Sequence, residues 1–219
     1  MRGVFVTGTD TEVGKSVVAA ATCAALAAAG ERVAAFKPVV TGLDEEPGEF
    51  GRDHELLASV ANAGQSPEQV APYRFGPPVS PHLAAELAGV TIEPAELVAA
   101  ARRHDLLVCE GVGGLLVPIT PGYLVRDLAV DLHLPVVIAA RPGLGTINHT
   151  LLTVEAARAG GLAVAGVVMT PWPGDPTAMQ RSNRATVERL ADVRVSGLPH
   201  TTRERLAEAG ASLPVADWL

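Results

Sequence analysis

The stretch Gly8-Thr9-Asp10-Thr11-Glu12-Val13-Gly14-Lys15-Ser16 lies between a short apolar run, Val4-Phe5-Val6, and an Ala/Val-rich segment from Val17 to Ala29. That order reads as strand, glycine loop and helix. In such a loop the backbone N–H groups and the positive end of the helix converge on one point and favour phosphate oxygens. A lysine and a hydroxyl at the end of the loop supply a cation and a Mg²⁺ ligand, and Lys15 and Ser16 stand in those two places. Five residues, Thr9 to Val13, separate the glycines where the common phosphate-binding loop has four, so this loop is a variant. The alternative is a glycine-rich turn with an incidental Lys-Ser.

Outward from that loop the chain alternates strands and helices. Arg32 to Phe36 reads as a strand that ends in Lys37-Pro38-Val39-Val40-Thr41-Gly42, where Pro38 and Gly42 halt regular structure. Ligands bind beyond the carboxyl ends of strands in open α/β sheets, which makes Lys37 and Thr41 candidates for the site; a solvated surface lysine is the alternative. Residues 43–52 are acidic and rich in glycine and read as a mobile loop. Asp53 opens a helix to Asn62, either as its N-cap or as a Mg²⁺ ligand. From Gln65 to Val90 the prolines point to a fixed loop that shapes a pocket, with a helix starting near His82. Pro94 to Arg103 reads as a helix.

Asp105 to Cys109 is a buried strand ending in Glu110-Gly111-Val112-Gly113-Gly114. A carboxylate at the end of a buried strand has the placement of an acid facing Mg²⁺, and glycines after it let backbone approach a nucleotide. A solvated turn glutamate is the alternative. Pro135 to Ala140 is the next strand, and Leu144-Gly145-Thr146-Ile147-Asn148-His149-Thr150 begins a helix to about Ala159. Asn148 and His149 in its first turn suit a polar or anionic group, a partner subunit, or ordinary capping. Ala163–Met169, Pro176–Leu190 and Val193–Leu198 continue the alternation as strand, helix and strand, before Pro199-His200 and a short final helix. Such a chain predicts one domain over 1–219: an α/β, doubly wound, mostly parallel sheet with helices on both faces.

Composition narrows the function. A core drawn from 48% hydrophobic and only 4% aromatic residues offers few stacking platforms for single-stranded nucleic acid. A net charge of −7 repels phosphate backbones, so bound phosphate must be captured locally, which favours a nucleotide over a nucleic acid. Cys23 and Cys109 have no metal-ligand spacing and read as small buried residues. No signal-peptide pattern and no bilayer-length apolar run are apparent, so the expectation is a cytoplasmic protein with neither a membrane nor a nucleic-acid partner.

Taken together, Gly8–Ser16, Lys37-Pro-Val-Val-Thr-Gly42, Val79-Ser-Pro-His82, Glu110-Gly-Val-Gly-Gly114 and Gly145-Thr-Ile-Asn-His149 resemble the dethiobiotin synthases, in the same order and over most of the chain. The five-residue loop spacing is itself similar to that family's. The resemblance implies a P-loop NTPase fold and ATP- and Mg²⁺-dependent closure of a cyclic urea from 7,8-diaminopelargonic acid and CO₂ or bicarbonate. It implies Lys15 and Lys37 as catalytic cations, and Ser16, Asp53 and Glu110 as Mg²⁺ ligands. Nucleotide contacts would come from Glu12, Val13, Gly14, Lys15, Ser16, Asp53, Glu110, Gly111, Val112, Gly113, Pro199 and His200. Thr11, Thr41, Gly145 and Asn148 would bind the diamine substrate, the last across a homodimer interface.

The family often has an asparagine for the base after the strand ending near Met169, where this chain has Thr170-Pro171-Trp172, so base preference stays open. Removing Lys15 or Lys37 is expected to leave the fold intact, as each is a cation rather than a core contact. The family shares its loop and sheet with partition-type switch ATPases, which usually carry an additional lysine early in the loop or a basic or amphipathic membrane segment; positions 9–13 here are Thr-Asp-Thr-Glu-Val.

Overall fold

In a computed structural model describing residues 1–219, β1 (Arg2–Gly8) is buried from Gly3 onward and leads through the glycine loop into α1 (Lys15–Ala28). The chain continues through β2 (Ala34–Phe36), β3 (Val39–Val40), α2 (Asp53–Val60), α3 (Pro67–Val70), β4 (Tyr73–Arg74), α4 (Pro81–Ala88), α5 (Pro94–Ala101) and β5 (Leu106–Glu110). Its second half holds β6 (Pro118–Thr120), β7 (Tyr123–Leu124), α6 (Val125–Leu132), β8 (Val136–Ala140), α7 (Thr146–Ala159), β9 (Val164–Trp172), α8 (Ala178–Ala191), β10 (Val195–Pro199) and α9 (Leu206–Ala211). The main sheet has the order β10-β9-β8-β1-β5-β2, and every pairing in it is parallel.

Strand periodicity divides the core between the two faces of the sheet. Val4, Val6, Leu106 and Val108 pack with α1, α2 and α9, whereas Phe5, Leu107 and Cys109 pack with α5, α6, α7 and α8. Helices therefore cover both faces, as a doubly wound sheet requires. Cys23 and Cys109 are buried and unbridged, one in each core. The low aromatic content has a packing counterpart: a Cβ on Gly210 would stand 2.0 Å from the Ala21 carbonyl oxygen, so α9 lies directly against the alanine-rich α1 backbone.

Several local expectations are corrected. The helix expected near His82 is α4, but the rest of segment 65–90 is not a loop throughout: it also contains α3 and β4, because Pro67 sits at a first helical position where a missing N–H costs no hydrogen bond. Strand β4 pairs with β3 in a separate parallel ribbon. The hairpin of β6 and β7, turning at Pro121-Gly122, and α6 after it were not anticipated. Residues 43–52, expected to be mobile, are anchored: the Arg52 guanidinium donates to the carbonyls of Gly42 (3.1 Å), Leu43 (2.9 Å) and Glu45. No helix is long and apolar enough to cross a membrane.

Candidate active site

Strand β1 is central, so the loop after it opens at the carboxyl edge of the sheet, where the chain ends of β2, β5 and β8 also emerge. Gly8 cannot be larger, since a Cβ there would stand 2.6 Å from Val13 Cγ2. Glu12 takes a left-handed conformation (φ 55°) and Gly14 another (φ 89°). Left-handed residues within a loop turn successive N–H groups toward one concavity, an anion cradle, at a conformational cost of about 1–3 kcal/mol for a residue with a side chain. Of the five residues between the glycines, Glu12 is the one with a left-handed backbone. Arg141, just past β8, braces it by donating to the carbonyls of Glu12 (3.1 Å) and Thr11 (3.4 Å).

Lys15 is buried and folds back over the loop, its Nζ donating to the Asp10 carbonyl at 2.7 Å. Burial first, and the charge of Lys37 second, lower its pKa to about 8. Lys37, only 4% exposed, enters from the end of β2 and stands between two carboxylates. Its Nζ lies 2.5 Å from Glu110 Oε1 and 2.6 Å from Asp53 Oδ2. Burial alone would lower the Lys37 pKa, but the two anions outweigh it and hold the ammonium protonated.

Glu110 ends β5 with its side chain completely buried. Oε1 accepts hydrogen bonds from Lys37 and from Ser16 Oγ (2.9 Å), whereas Oε2 has no partner at all. Burial raises the Glu110 pKa, opposed by Lys37. Asp53 is shifted the other way: burial raises its pKa, but the Lys37 charge and hydrogen bond bring the net value below the usual carboxylate range. The Asp53 side chain caps nothing, and the extended residue before α2 is Arg52; Asp53 turns instead across the cleft to Lys37. A hydroxyl and two carboxylates, one of them with an orphaned oxygen, form a hard-oxygen set that fits Mg²⁺, which takes one or two carboxylates and keeps several waters.

Together with Thr11, Glu12, Gly14, Thr41, Val112 and Gly113, these groups line a cleft of about 530 Å³. Gly111 is not among them: it is packed inward, where a Cβ would meet Val125 and Phe5 at 2.9 and 3.0 Å. Val13, Pro199 and His200 line a second groove of about 210 Å³ bordering the same loop, together with Thr170 and Pro171. Gly145 and Asn148 lie in neither, exposed at the start of α7. Their neighbour His149 borders a third groove of about 480 Å³, beside Gly8, Asp10, Leu116 and Leu152.

Sequence reasoning missed Arg141, Arg52 and Phe50. Arg141 sits in an Arg-Pro-Gly turn that carries no local sign of its role, because its acceptors are 129 and 130 residues away. Arg52 immediately precedes Asp53, so the anchor of loop 43–52 also sets the entry of that carboxylate into the cleft.

A family model described as an AAA domain matches residues 2–201. The chain is similar to the ATP-dependent dethiobiotin synthetase BioD of Anaeromyxobacter dehalogenans, with 46% identity over 194 residues, spanning 87% of this chain and 86% of that protein. The protein of the same name from Bacillus subtilis is 37% identical over 202 residues, spanning 90% and 87%. Among solved structures, the MinC:MinD cell division protein complex of Aquifex aeolicus superposes with a TM-score of 0.55 at 13% identity, covering 98% of this chain and 87% of that one. The septum site-determining protein MinD of Pyrococcus horikoshii, complexed with Mg-ADP, gives 0.53 at 14% identity, covering 99% and 88%. At such identities these likenesses speak for a P-loop α/β fold and nothing finer.

Proposed function

The chain belongs to the family of ATP-dependent dethiobiotin synthetases, and on that premise we propose how its cleft closes the ring. It is an ATP-dependent ligase forming C–N bonds. The switch-ATPase alternative is not favoured, since the relatives at 37% and 46% identity are synthetases while the cell-division proteins share the sheet at 13% and 14%.

In the proposed reaction one amine of 7,8-diaminopelargonic acid adds to CO₂ and loses a proton, giving a carbamate. A carbamate oxygen takes the γ-phosphoryl group of ATP, releasing ADP and leaving a carbamic-phosphoric anhydride. The second amine then attacks the carbonyl carbon, phosphate departs and the cyclic urea remains. Each step gathers negative charge in one place, and fixed cations aimed there are the largest source of acceleration. The loop from Glu12 to Ser16 holds the phosphates, with Lys15 beside them. Lys37 faces the carbamate and the transferring phosphoryl, while Thr11 and Thr41 hydrogen-bond the substrate end. Mg²⁺ bound by Ser16, Asp53 and Glu110 would neutralise phosphate oxygens.

The observation that carries this reading is the convergence of two buried lysines and the Ser16–Asp53–Glu110 oxygen set on one cleft. A synthetase is expected to release phosphate only with ATP, diamine and bicarbonate all present. Phosphate release unaffected by omitting the diamine would mark a plain ATPase instead.

The substrate's carboxylate needs a second anion site at a distance from its amines. Gly145 and Asn148, at an α7 N-terminus outside the cleft, supply it if they come from a second copy. The exposed Leu144, Leu152 and Leu116 provide apolar surface for that contact. Mixing Lys37→Ala subunits with subunits impaired at Asn148 is then expected to restore roughly a quarter of parental activity, as half the dimers are mixed and each keeps one intact site. No recovery on mixing would place both residues in the same subunit's site.

A further inference from the structure

Phe50 is one of four phenylalanines in the chain and stands among glutamates, glycines and a proline. Its loop has no core of its own, and the ring packs instead against the core beneath α1. Residues 48–51 form a tight turn closed by the Gly51 N–H to the Gly48 carbonyl (2.9 Å), with Gly51 at φ 77°, and the turn places Glu49 and Phe50 at its tip. Arg52 fixes the base of the loop through its three carbonyl contacts. At the tip, Glu49 Oε2 stands 3.9 Å from His200 Nε2, so the loop reaches across to the end of β10.

Phe50 lies on the boundary between the 530 Å³ cleft and the 210 Å³ groove and lines both, as do Val17 and Gly14. The ring is half-buried against the core beneath α1, which holds it in place while part of it faces the groove. Phosphates held on residues 12–16 direct the rest of a nucleotide into a recess bordering the same loop. The groove borders it at Glu12, Val13 and Gly14, and Pro171 and Pro199 line the same groove as Phe50. An aromatic ring and two proline rings along one groove offer apolar faces that suit a planar heterocycle.

We propose that Phe50 is the stacking platform for the nucleobase, so that loop 43–52 binds the base at its tip and delivers Asp53 to the cleft at its end. The proposal rests on the reading that nucleotide phosphates occupy the Glu12–Ser16 loop. Stacking acts on a base and not on a bare phosphate chain, which separates contact from mere loop ordering.

The test is calorimetric binding of Mg-ATP and of Mg-tripolyphosphate to the parent protein, Phe50→Ala and Phe50→Trp. Phe50→Ala is expected to weaken ATP about tenfold while leaving tripolyphosphate within roughly twofold, and Phe50→Trp to retain ATP affinity. Equal weakening of both ligands by Phe50→Ala would show that the ring only orders the loop, and unchanged ATP affinity would show no contact; either overturns the proposal. A parent protein that binds ATP no more tightly than tripolyphosphate would instead overturn the placing of the base in this groove.

Discussion

Replacing Lys37 with alanine is expected to lower kcat by roughly two to three orders of magnitude, the usual cost of removing one preorganised group aimed at developing charge. Lys15→Ala is expected to act more on ATP binding, because Lys15 lies within the phosphate loop itself. Turnover within threefold of the parent would end either assignment. The fold, however, is not expected to be indifferent to Lys37, contrary to what its sequence context implied. Its ammonium is the counter-charge of Glu110, which is completely buried. With the cation gone, an uncompensated buried carboxylate remains, of a kind that costs about 3–5 kcal/mol unless it takes up a proton.

That proton sets the sign of the pH dependence. Burial already raises the Glu110 pKa with Lys37 opposing, so removing Lys37 raises it further. Between the ordinary carboxylate pKa and the raised folded value the native variant binds one more proton than the unfolded chain, and stability falls as pH rises through that window. Thermal melts of Lys37→Ala and of Lys37→Met, which keeps the aliphatic stem, should both show this slope, relative to the parent. Melting curves that parallel the parent's at every pH would mean that Glu110 does not depend on Lys37.

Glu110→Gln is expected to raise the Mg²⁺ concentration for half-maximal activity by about tenfold or more, as an anionic ligand becomes neutral at a site where little water screens it. Asp53→Asn should shift it in the same direction but less, since the Asp53 side chain is 39% exposed and Glu110 is wholly enclosed. Ser16→Ala, removing a neutral ligand, should shift it least. A Mg²⁺ titration of ATP binding, read by calorimetry, separates this from slower chemistry. If Glu110→Gln left the titration unmoved, the orphaned Oε2 would have no part in holding a cation.

The strand–loop–helix at residues 4–29 was legible because phosphate binding by backbone N–H groups is local: glycines, a lysine and a hydroxyl at set spacings are enough. Alternating apolar strands and helical stretches likewise determined a doubly wound sheet, and with it the shared edge where Lys37 and Glu110 emerge, because parallel strands all end on one side. Where the reading failed locally, at Pro67, proline was taken as a breaker although it also starts helices.

What the tertiary structure alone decided is which of these groups meet. At Asp53 the local sequence allowed a cap or a ligand, and only the approach of Lys37, 16 residues away, turned the carboxylate into the cleft. Arg141 braces Glu12 across 129 residues because β8 lies beside β1, a neighbourhood set by strand order and not by chain order. Asn148, although its motif stands beside the others in the sequence, lies outside the cleft of its own chain. Backbone path follows from short-range periodicity and spacing, whereas side-chain encounters depend on how the packed sheet orders distant strands, and no local pattern encodes that order.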